Sequence, residues 1–223
     1  IPDNYDLVNR LLTFRLDEVW RKKAAEVVVD NNPQEVMDVG TGTGDMAIRL
    51  ARKLAKAKII GYDFSRSMLQ VARKKAYKHG LNHIEFIEGD AASMPFENNR
   101  FDVTSISFAF RNITFKNPHT ADYLKEIFRT LKPGGKFVIV ESSQPSNKLI
   151  RIIFHLYLRF VVSDIGSRIS GTKGAYHYLA YSARNFYTTK ELTTLLKNHG
   201  YVHIKHKPML FGAAVVSEAT KPV

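Results

Sequence analysis

Three features of the sequence predict an α/β fold, a Rossmann-like sheet of seven mostly parallel strands with helices on both faces. First, residues 34–143 alternate short β-branched runs with helical stretches, the pattern of a parallel sheet covered on both sides. Second, a glycine-rich turn stands where the first of these strands passes into the first helix. Third, the chain finishes on a helix and two strands joined near Pro208, a hairpin that would make the last strand antiparallel. A length of 223 residues is enough for one domain with a full buried core.

The elements follow in order. Residues 1–33 read as a helical cap, with two amphipathic helices over Asn4–Asp30 placed to cover the mouth of a site. Within 34–143, strands are expected at Glu35–Gly40, Lys58–Asp63, Ile84–Gly89, Phe101–Phe108 and Lys136–Ser142, and helices at Thr43–Ala55, Ser65–His79 and His119–Leu131. Leu131-Lys132-Pro133-Gly134-Gly135 ends the last of these helices, because proline cannot continue it and glycine supplies the turn into the next strand. Residues 144–188 read as an insertion or lid on the acceptor side, with an apolar helix over Asn147–Val162 and then an irregular stretch. Residues 189–223 close the fold with a helix at Thr189–His199 and strands at Tyr201–Lys207 and Met209–Val216.

Composition excludes several classes. Cysteine is absent, which removes disulfides, thiolate nucleophiles and thiolate zinc sites, and no metal is expected. No run of 18 apolar residues exists, and Ile1-Pro2-Asp3-Asn4-Tyr5 lacks the features of a secretory signal, so a cytoplasmic setting is expected. The net charge of +12 comes from clusters spread along helices, such as Arg21-Lys22-Lys23 and Arg73-Lys74-Lys75, and reads first as solvated helix faces.

The chemistry concentrates in Asp38-Val39-Gly40-Thr41-Gly42-Thr43-Gly44-Asp45. Its Gly-x-Gly-x-Gly spacing, with an acid two residues ahead, differs from the Gly-x-Gly-x-x-Gly that sets a pyrophosphate on a helix N-terminus. It suits a ligand without phosphates, such as S-adenosylmethionine, whose cationic sulfonium an acid favours. Asp63 ends the second strand about 20 residues beyond the loop, where a carboxylate can take both ribose hydroxyls; capping of the next helix is its plain alternative. Asp90 follows the third strand, where a carboxylate can accept from an adenine amino group. Three acids at the ends of three consecutive parallel strands fall in the crevice where open α/β sheets bind ligands. The pattern is that of a class I methyltransferase sheet, and it disfavours a dehydrogenase.

Further residues carry a closer resemblance. Tyr5-Asp6-Leu7-Val8-Asn9 with Trp20, Gly42-Thr43-Gly44-Asp45, Ser67-Met68-Leu69, Ile106-Ser107-Phe108-Ala109-Phe110-Arg111-Asn112-Ile113-Thr114, Glu141, Ile165-Gly166, and Tyr176-His177-Tyr178-Leu179 through Ser182 together resemble the ubiquinone/menaquinone biosynthesis C-methyltransferases. The resemblance runs over most of the chain. It implies S-adenosylmethionine as methyl donor, S-adenosylhomocysteine as product, and a lipophilic quinol-like acceptor. The cofactor residues, on the motif and the resemblance together, are Asp38, Gly40, Gly42, Thr43, Gly44, Asp63, Phe64, Met68, Asp90, Ala91 and Ser107. The resemblance puts Arg111 and Asn112 at the reacting centre, with Tyr5 closing over it. Departures gather toward the C-terminal half: Phe186-Tyr187 replaces a frequent Phe-Pro, Ser163-Asp164 stands where a proline is common, and Gly212 to Ser217 lacks the family's histidine. In the N-terminal segment, Leu16-Asp17-Glu18-Val19 also lacks one. These departures bear on the acceptor more than on the reaction.

Carbon methylation of a quinol needs a phenolate-like ring held in line with the methyl group and shielded from water. A guanidinium keeps its proton at neutral pH. Arg111 is therefore expected to stabilise the developing oxyanion, with Asn112 orienting the ring; the alternative is a salt-bridged arginine beside a turn asparagine. Water, or a histidine such as His155 or His177, remains open as proton acceptor. The apolar run from Leu149 to Phe160 is too short to span a bilayer. It reads as a lid, or as a peripheral membrane contact with Arg151 and Arg159 at headgroup level, or as a helix buried on the sheet or in a homodimer interface. A nucleic-acid substrate is not expected, because Ser107-Phe108-Ala109-Phe110 lacks the Asn/Asp-Pro-Pro-aromatic pattern and no cysteine nucleophile exists. Another small lipophilic acceptor is the stronger rival.

Overall fold

The computed structural model describes Arg10, residues 12–165 and residues 173–223. Seven strands form one sheet: β1 Glu35–Val39, β2 Lys58–Asp63, β3 Glu85–Glu88, β4 Phe101–Ser107, β5 Leu131–Ser142, β6 Val202–Met209 and β7 Ala214–Thr220. Their order is β3-β2-β1-β4-β5-β7-β6. Pairings from β3 to β5 are parallel, and β7 runs antiparallel to both β5 and β6. The expected architecture is therefore present, last strand included.

The helices are α1 Leu16–Asp30, α2 Asp45–Lys53, α3 Arg66–Lys78, α4 Phe110–Thr114, α5 Thr120–Thr130, α6 Lys148–Leu156, α7 Lys173–Arg184 and α8 Thr189–Asn198. A π-helical segment, Tyr157–Ile165, continues α6. The central strands β1 and β4 are buried along nearly their whole length because both faces are covered, polar Asp38, Thr104 and Ser105 included. Successive residues serve opposite layers: Val36, Ile59 and Val138 pack with α1, α2 and α3, whereas Met37, Ile60 and Ile139 pack with α5 and α8. A third, smaller core joins Leu12, Leu158 and Val162 to Tyr176, Ala180 and Ala183 of α7, forming a layer above the carboxyl ends of the strands.

Several expected boundaries shift. The single helix anticipated over Asn147–Val162 is α6, capped by the Asn147 side chain on Leu149 and Ile150 N–H, followed by the π-helical turn. The stretch read as irregular contains α7, and α4 was not anticipated because five residues carry no periodic signal. Of the two N-terminal helices only the second, α1, falls within the described residues. β5 starts at Leu131 rather than Lys136: Leu131 pairs with Phe101, and residues 132–135 form an irregularity before Lys136 pairs with Val103. Gly134 takes φ +76° there. The closing hairpin does not turn at Pro208, which lies inside β6 opposite Val215. β6 is an edge strand, where a missing N–H is tolerated. The turn falls instead at Leu210, Phe211 and Gly212, all with positive φ, so the last strand is Ala214–Thr220 and not Met209–Val216.

Candidate active site

The carboxyl ends of β1, β2 and β4 open into a cleft of about 1140 Å³. Pockets for one drug-sized ligand run roughly 300–1,000 Å³, so this one has room for two molecules side by side. One end is polar and glycine-lined; the other is walled by Phe154, Tyr157, Leu158, Val162, Tyr176 and Leu179.

The polar end is built by the turn after β1. Gly40, Gly42 and Gly44 all adopt left-handed φ, at +63°, +55° and +81°. A Cβ on Gly40 would stand 2.6 Å from that of Ala109, so the turn packs its bare Cα against the Ala109 side chain just beyond β4. Gly42 has nothing within 4 Å of its would-be Cβ and leaves the cleft floor open. Gly40 and Thr41 N–H donate to the Tyr62 carbonyl, tying the turn to β2.

Asp38 lies beneath the turn, buried, accepting from Thr41 Oγ1 at 2.7 Å and Ser105 Oγ at 2.8 Å. Burial pushes its carboxyl up to about 6, with the two hydroxyl hydrogen bonds pulling the other way and Asp63 adding to the rise. Asp63 accepts from Gly42 N–H at 2.8 Å and Ser65 N–H at 2.9 Å, so it organises the loop and the entry to α3. Ser65 caps α3 through Met68 N–H. Both anticipated roles are thus compatible: the hydroxyl caps while the carboxylate lines the cleft. Asp90 sits exposed at the rim; its carboxylate caps Ala92 N–H at 2.9 Å, and its carbonyl accepts from the Tyr62 hydroxyl. Phe64, Met68 and Ala91 line the same wall. Thr43 lines the cleft and accepts from Lys75 at 3.2 Å.

Gly44 is the exception among the expected cofactor residues. It does not line the cleft; a Cβ there would meet Ala72 of α3 at 2.9 Å and Phe86 at 3.3 Å. Its glycine is required by close packing of α2 on α3. Tyr5 and Gly166 lie outside the described residues.

Arg111 and Asn112, in α4, stand where the polar and apolar halves meet. Arg111 is buried and paired with fully buried Glu141 at the end of β5: Nη1 lies 2.6 Å from Glu141 Oε1 and 2.9 Å from Ser142 Oγ. Its backbone N–H also donates to Glu141 at 3.1 Å. The salt-bridged alternative is therefore part of the answer, while its buried Nε has no hydrogen-bond partner. Neither His155 nor His177 lines the cleft. His155 Nε2 is 2.8 Å from Gln144 Oε1, and burial, with Arg184 and Arg151 nearby, lowers its affinity for a proton. His177 Nδ1 is 2.5 Å from Ser163 Oγ.

Sequence reasoning missed a polar-aromatic group contributed by α1. Arg21 reaches Asp17 at 2.6 Å and lies 5.0 Å from the Phe108 ring centre, and the Trp20 ring is tilted against the same ring at 6.1 Å. The Asp17–Arg21 spacing of four was a legible sign of a helix-surface pair. Although burial opposes it, Arg21 and Lys75 hold the Asp45 carboxyl below its usual range. Glu141, the anchor of Arg111, was noticed in sequence but given no role.

The residues fit a cationic, phosphate-free nucleoside cofactor. Ser107 Oγ is buried without a partner at the cleft, Gly42 leaves open space at the cleft floor, and an acid lies under the loop. Among the described residues no cluster of three or more His, Asp or Glu side chains is arranged to hold a metal, and no helix is long and apolar enough to cross a membrane. Fold and site together define a class I S-adenosylmethionine-dependent methyltransferase, an enzyme that uses S-adenosylmethionine. A model of the ubiE/COQ5 methyltransferase family matches residues 1–221, and the chain belongs to that family. It is 35% identical over 225 residues to a demethylmenaquinone methyltransferase of Thermus thermophilus, covering all of this chain and 98% of the relative. A demethylmenaquinone methyltransferase of Deinococcus radiodurans is 38% identical over 217 residues, covering 96% and 86%. A solved SAM-dependent methyltransferase of Thermotoga maritima shares the fold, with a TM-score of 0.63 at 21% identity, covering 98% of this chain and 96% of that one.

Proposed function

We propose that this chain methylates a ring carbon of a prenylated quinol of the demethylmenaquinol type. The observation that carries the reading is the two-ended cleft, with a glycine- and acid-lined floor continuous with an aromatic and aliphatic chamber and Arg111 at the junction. Asp38, Gly40, Gly42, Thr43, Asp63, Phe64, Met68, Asp90, Ala91 and Ser107 hold the cofactor. Asp63 receives the ribose, Asp90 the adenine edge, and the buried Asp38 favours positive charge above the loop. When bound, S-adenosylmethionine supplies an electrophilic methyl group and leaves as the neutral sulfide S-adenosylhomocysteine.

The chain's own part is positioning and electrostatics. Glu141 and Ser142 fix the Arg111 guanidinium, so its remaining donors point without reorganisation at a phenolic oxygen placed in the junction. That favours the ring phenolate, whose negative charge is shared with the attacking carbon. Asn112 orients the ring. The aromatic chamber accepts the start of the tail and excludes water. The ring carbon gains a methyl and then releases its proton to solvent at the polar mouth of the cleft; the histidines considered for that step do not line the cleft.

The test is transfer of labelled methyl from S-adenosylmethionine to a short-chain demethylmenaquinol under reducing conditions, with tRNA as a parallel acceptor. Label in the quinol ring is expected. Label in RNA alone would overturn the acceptor, and label in neither would move it to another lipophilic molecule.

A further inference from the structure

Helix α6 presents an unusual balance. Its nine residues are mostly apolar, yet none of them is buried. Leu149, Ile152, Ile153 and Leu156, with Phe160 in the π-helical segment, are each 49–66% exposed. They recur at helical spacing and form one outward stripe. The opposite side of the same segment supplies Phe154, Tyr157, Leu158 and Val162 to the acceptor end of the cleft. One short segment therefore shows an apolar face both to the substrate chamber and to solvent.

Two other segments add exposed apolar residues beside α6. The tip of the β6–β7 hairpin packs at the start of α6: Gly212 lies against Pro145, and Ser143 N–H donates to the Ala213 carbonyl. That tip exposes Phe211, 77% accessible, beside Leu210, which also lines the cleft. At the other end Phe14, 73% exposed, rests on the Tyr157 ring, whose hydroxyl donates to the Leu12 carbonyl. Phe14, Leu210 and Phe211 all adopt positive φ, so the backbone accepts strain at residues whose large apolar side chains end in water. Charge along the α6 segment is one-sided. Residues 144–165 carry Lys148, Arg151 and Arg159 against the single acid Asp164, within a chain of net charge +12.

We infer that this rim, made by α6, the hairpin tip and Phe14, is a docking surface for an anionic lipid bilayer, through which the acceptor enters the cleft. The inference rests on the proposed lipophilic acceptor. An apolar stripe flanked by cations is the composition of an interfacial helix, which sinks its apolar face to the acyl boundary and leaves basic groups among the headgroups. Lys148, exposed in the first turn of α6, and Arg159, over the Phe160 ring, flank the stripe, while Arg151 turns back to the Pro145 carbonyl at the start of the helix. A second copy of the chain is a poorer occupant, since it brings the same excess of cations to the contact. With the stripe in the bilayer, the cleft behind α6 opens to the lipid phase, and a prenylated ring passes in without crossing water.

The test uses the full chain and sedimentation with vesicles of phosphatidylcholine alone or mixed with phosphatidylglycerol. The unsubstituted chain is expected to bind the mixed vesicles, and salt is expected to weaken this binding. The triple variant Leu149→Gln, Ile152→Gln, Ile153→Gln touches no cleft-lining residue and is expected to lower vesicle partitioning by about tenfold or more. Its methyl transfer to a short-chain acceptor that needs no bilayer should be retained. Phe211→Asn keeps a residue suited to positive φ and should weaken vesicle binding without loss of folding. Absence of wild-type binding to either vesicle, or equal binding by wild type and triple variant, would overturn the docking surface. So would a stable dimer that buries Ile152 against its copy. Failure of the wild type to methylate the short-chain acceptor would overturn the acceptor reading and this one with it. Activity without vesicle binding would overturn only the docking surface.

Discussion

Replacing Arg111 by Met removes a guanidinium that is 6% exposed and leaves a carboxylate that is 0% exposed without its counter-cation. Breaking a buried pair from one side costs about 3–5 kcal/mol. Glu141 keeps hydrogen bonds from the residue-111 backbone N–H, the Ser142 N–H and the Ser142 hydroxyl, which places the expected loss at the low end, about 3 kcal/mol. A domain of ordinary stability, roughly 5–15 kcal/mol, remains folded after that loss. Adding Glu141→Gln removes the stranded charge, but its single amide oxygen serves either the Ser142 donors or the residue-111 N–H and not both, so stability should recover only part of the loss. Turnover separates the two roles of the arginine. If Arg111 stabilises a developing phenolate, both variants lose its donors, and kcat should stay down by about 10²–10³ in the double variant. Urea denaturation reads the first quantity, labelled methyl transfer the second, and cofactor affinity should change little in either variant. Return of turnover together with stability would refute the catalytic role and leave Arg111 as an anchor for the end of β5.

Three further outcomes are expected. The folded pKa of Asp38, about 6, lies above its ordinary 3.8, so the fold holds this proton more tightly than the unfolded chain does. The corresponding stability is complete below 3.8 and is lost as pH rises through 6, a swing of roughly 3 kcal/mol. Asp38→Asn should therefore flatten the pH dependence of the denaturation midpoint and raise stability at neutral pH, while weakening S-adenosylmethionine binding more than S-adenosylhomocysteine binding by calorimetry. Equal weakening for both ligands would remove Asp38 from sulfonium recognition. Gly40→Ala puts a side chain at φ +63° and a Cβ 2.6 Å from that of Ala109. The conformation alone costs about 1–2 kcal/mol, and both melting temperature and cofactor affinity should fall; unchanged affinity would mean the turn does not shape the site. Thr188→Ala removes the capping box that Thr188 and Glu191 make at the start of α8. It should cost about 1 kcal/mol in a denaturant titration with cofactor affinity unaltered.

What the sequence determined by itself was local. The turn from Asp38 to Asp45, the acids Asp63 and Asp90 at strand ends, and the alternation of strands and helices follow from backbone preferences and periodicities spanning a few residues. Those signals are the same wherever the segment sits in space. The hairpin finish was also legible, but not its turn. Proline at 208 looked like the connection, and only the position of β6 at the sheet edge shows why a strand tolerates it there. The tertiary structure alone decided the rest, because it depends on residues distant in the chain. Arg111 meets Glu141 thirty positions away only because β4 and β5 lie side by side. Gly44, grouped with its neighbours by spacing, serves α2–α3 packing because Ala72 and Phe86 fill the space beside it. The outward stripe on α6 could not be told from a buried one in sequence. Burial of an apolar helix depends on what the fold sets against each face, and here it sets the cleft against one and solvent against the other.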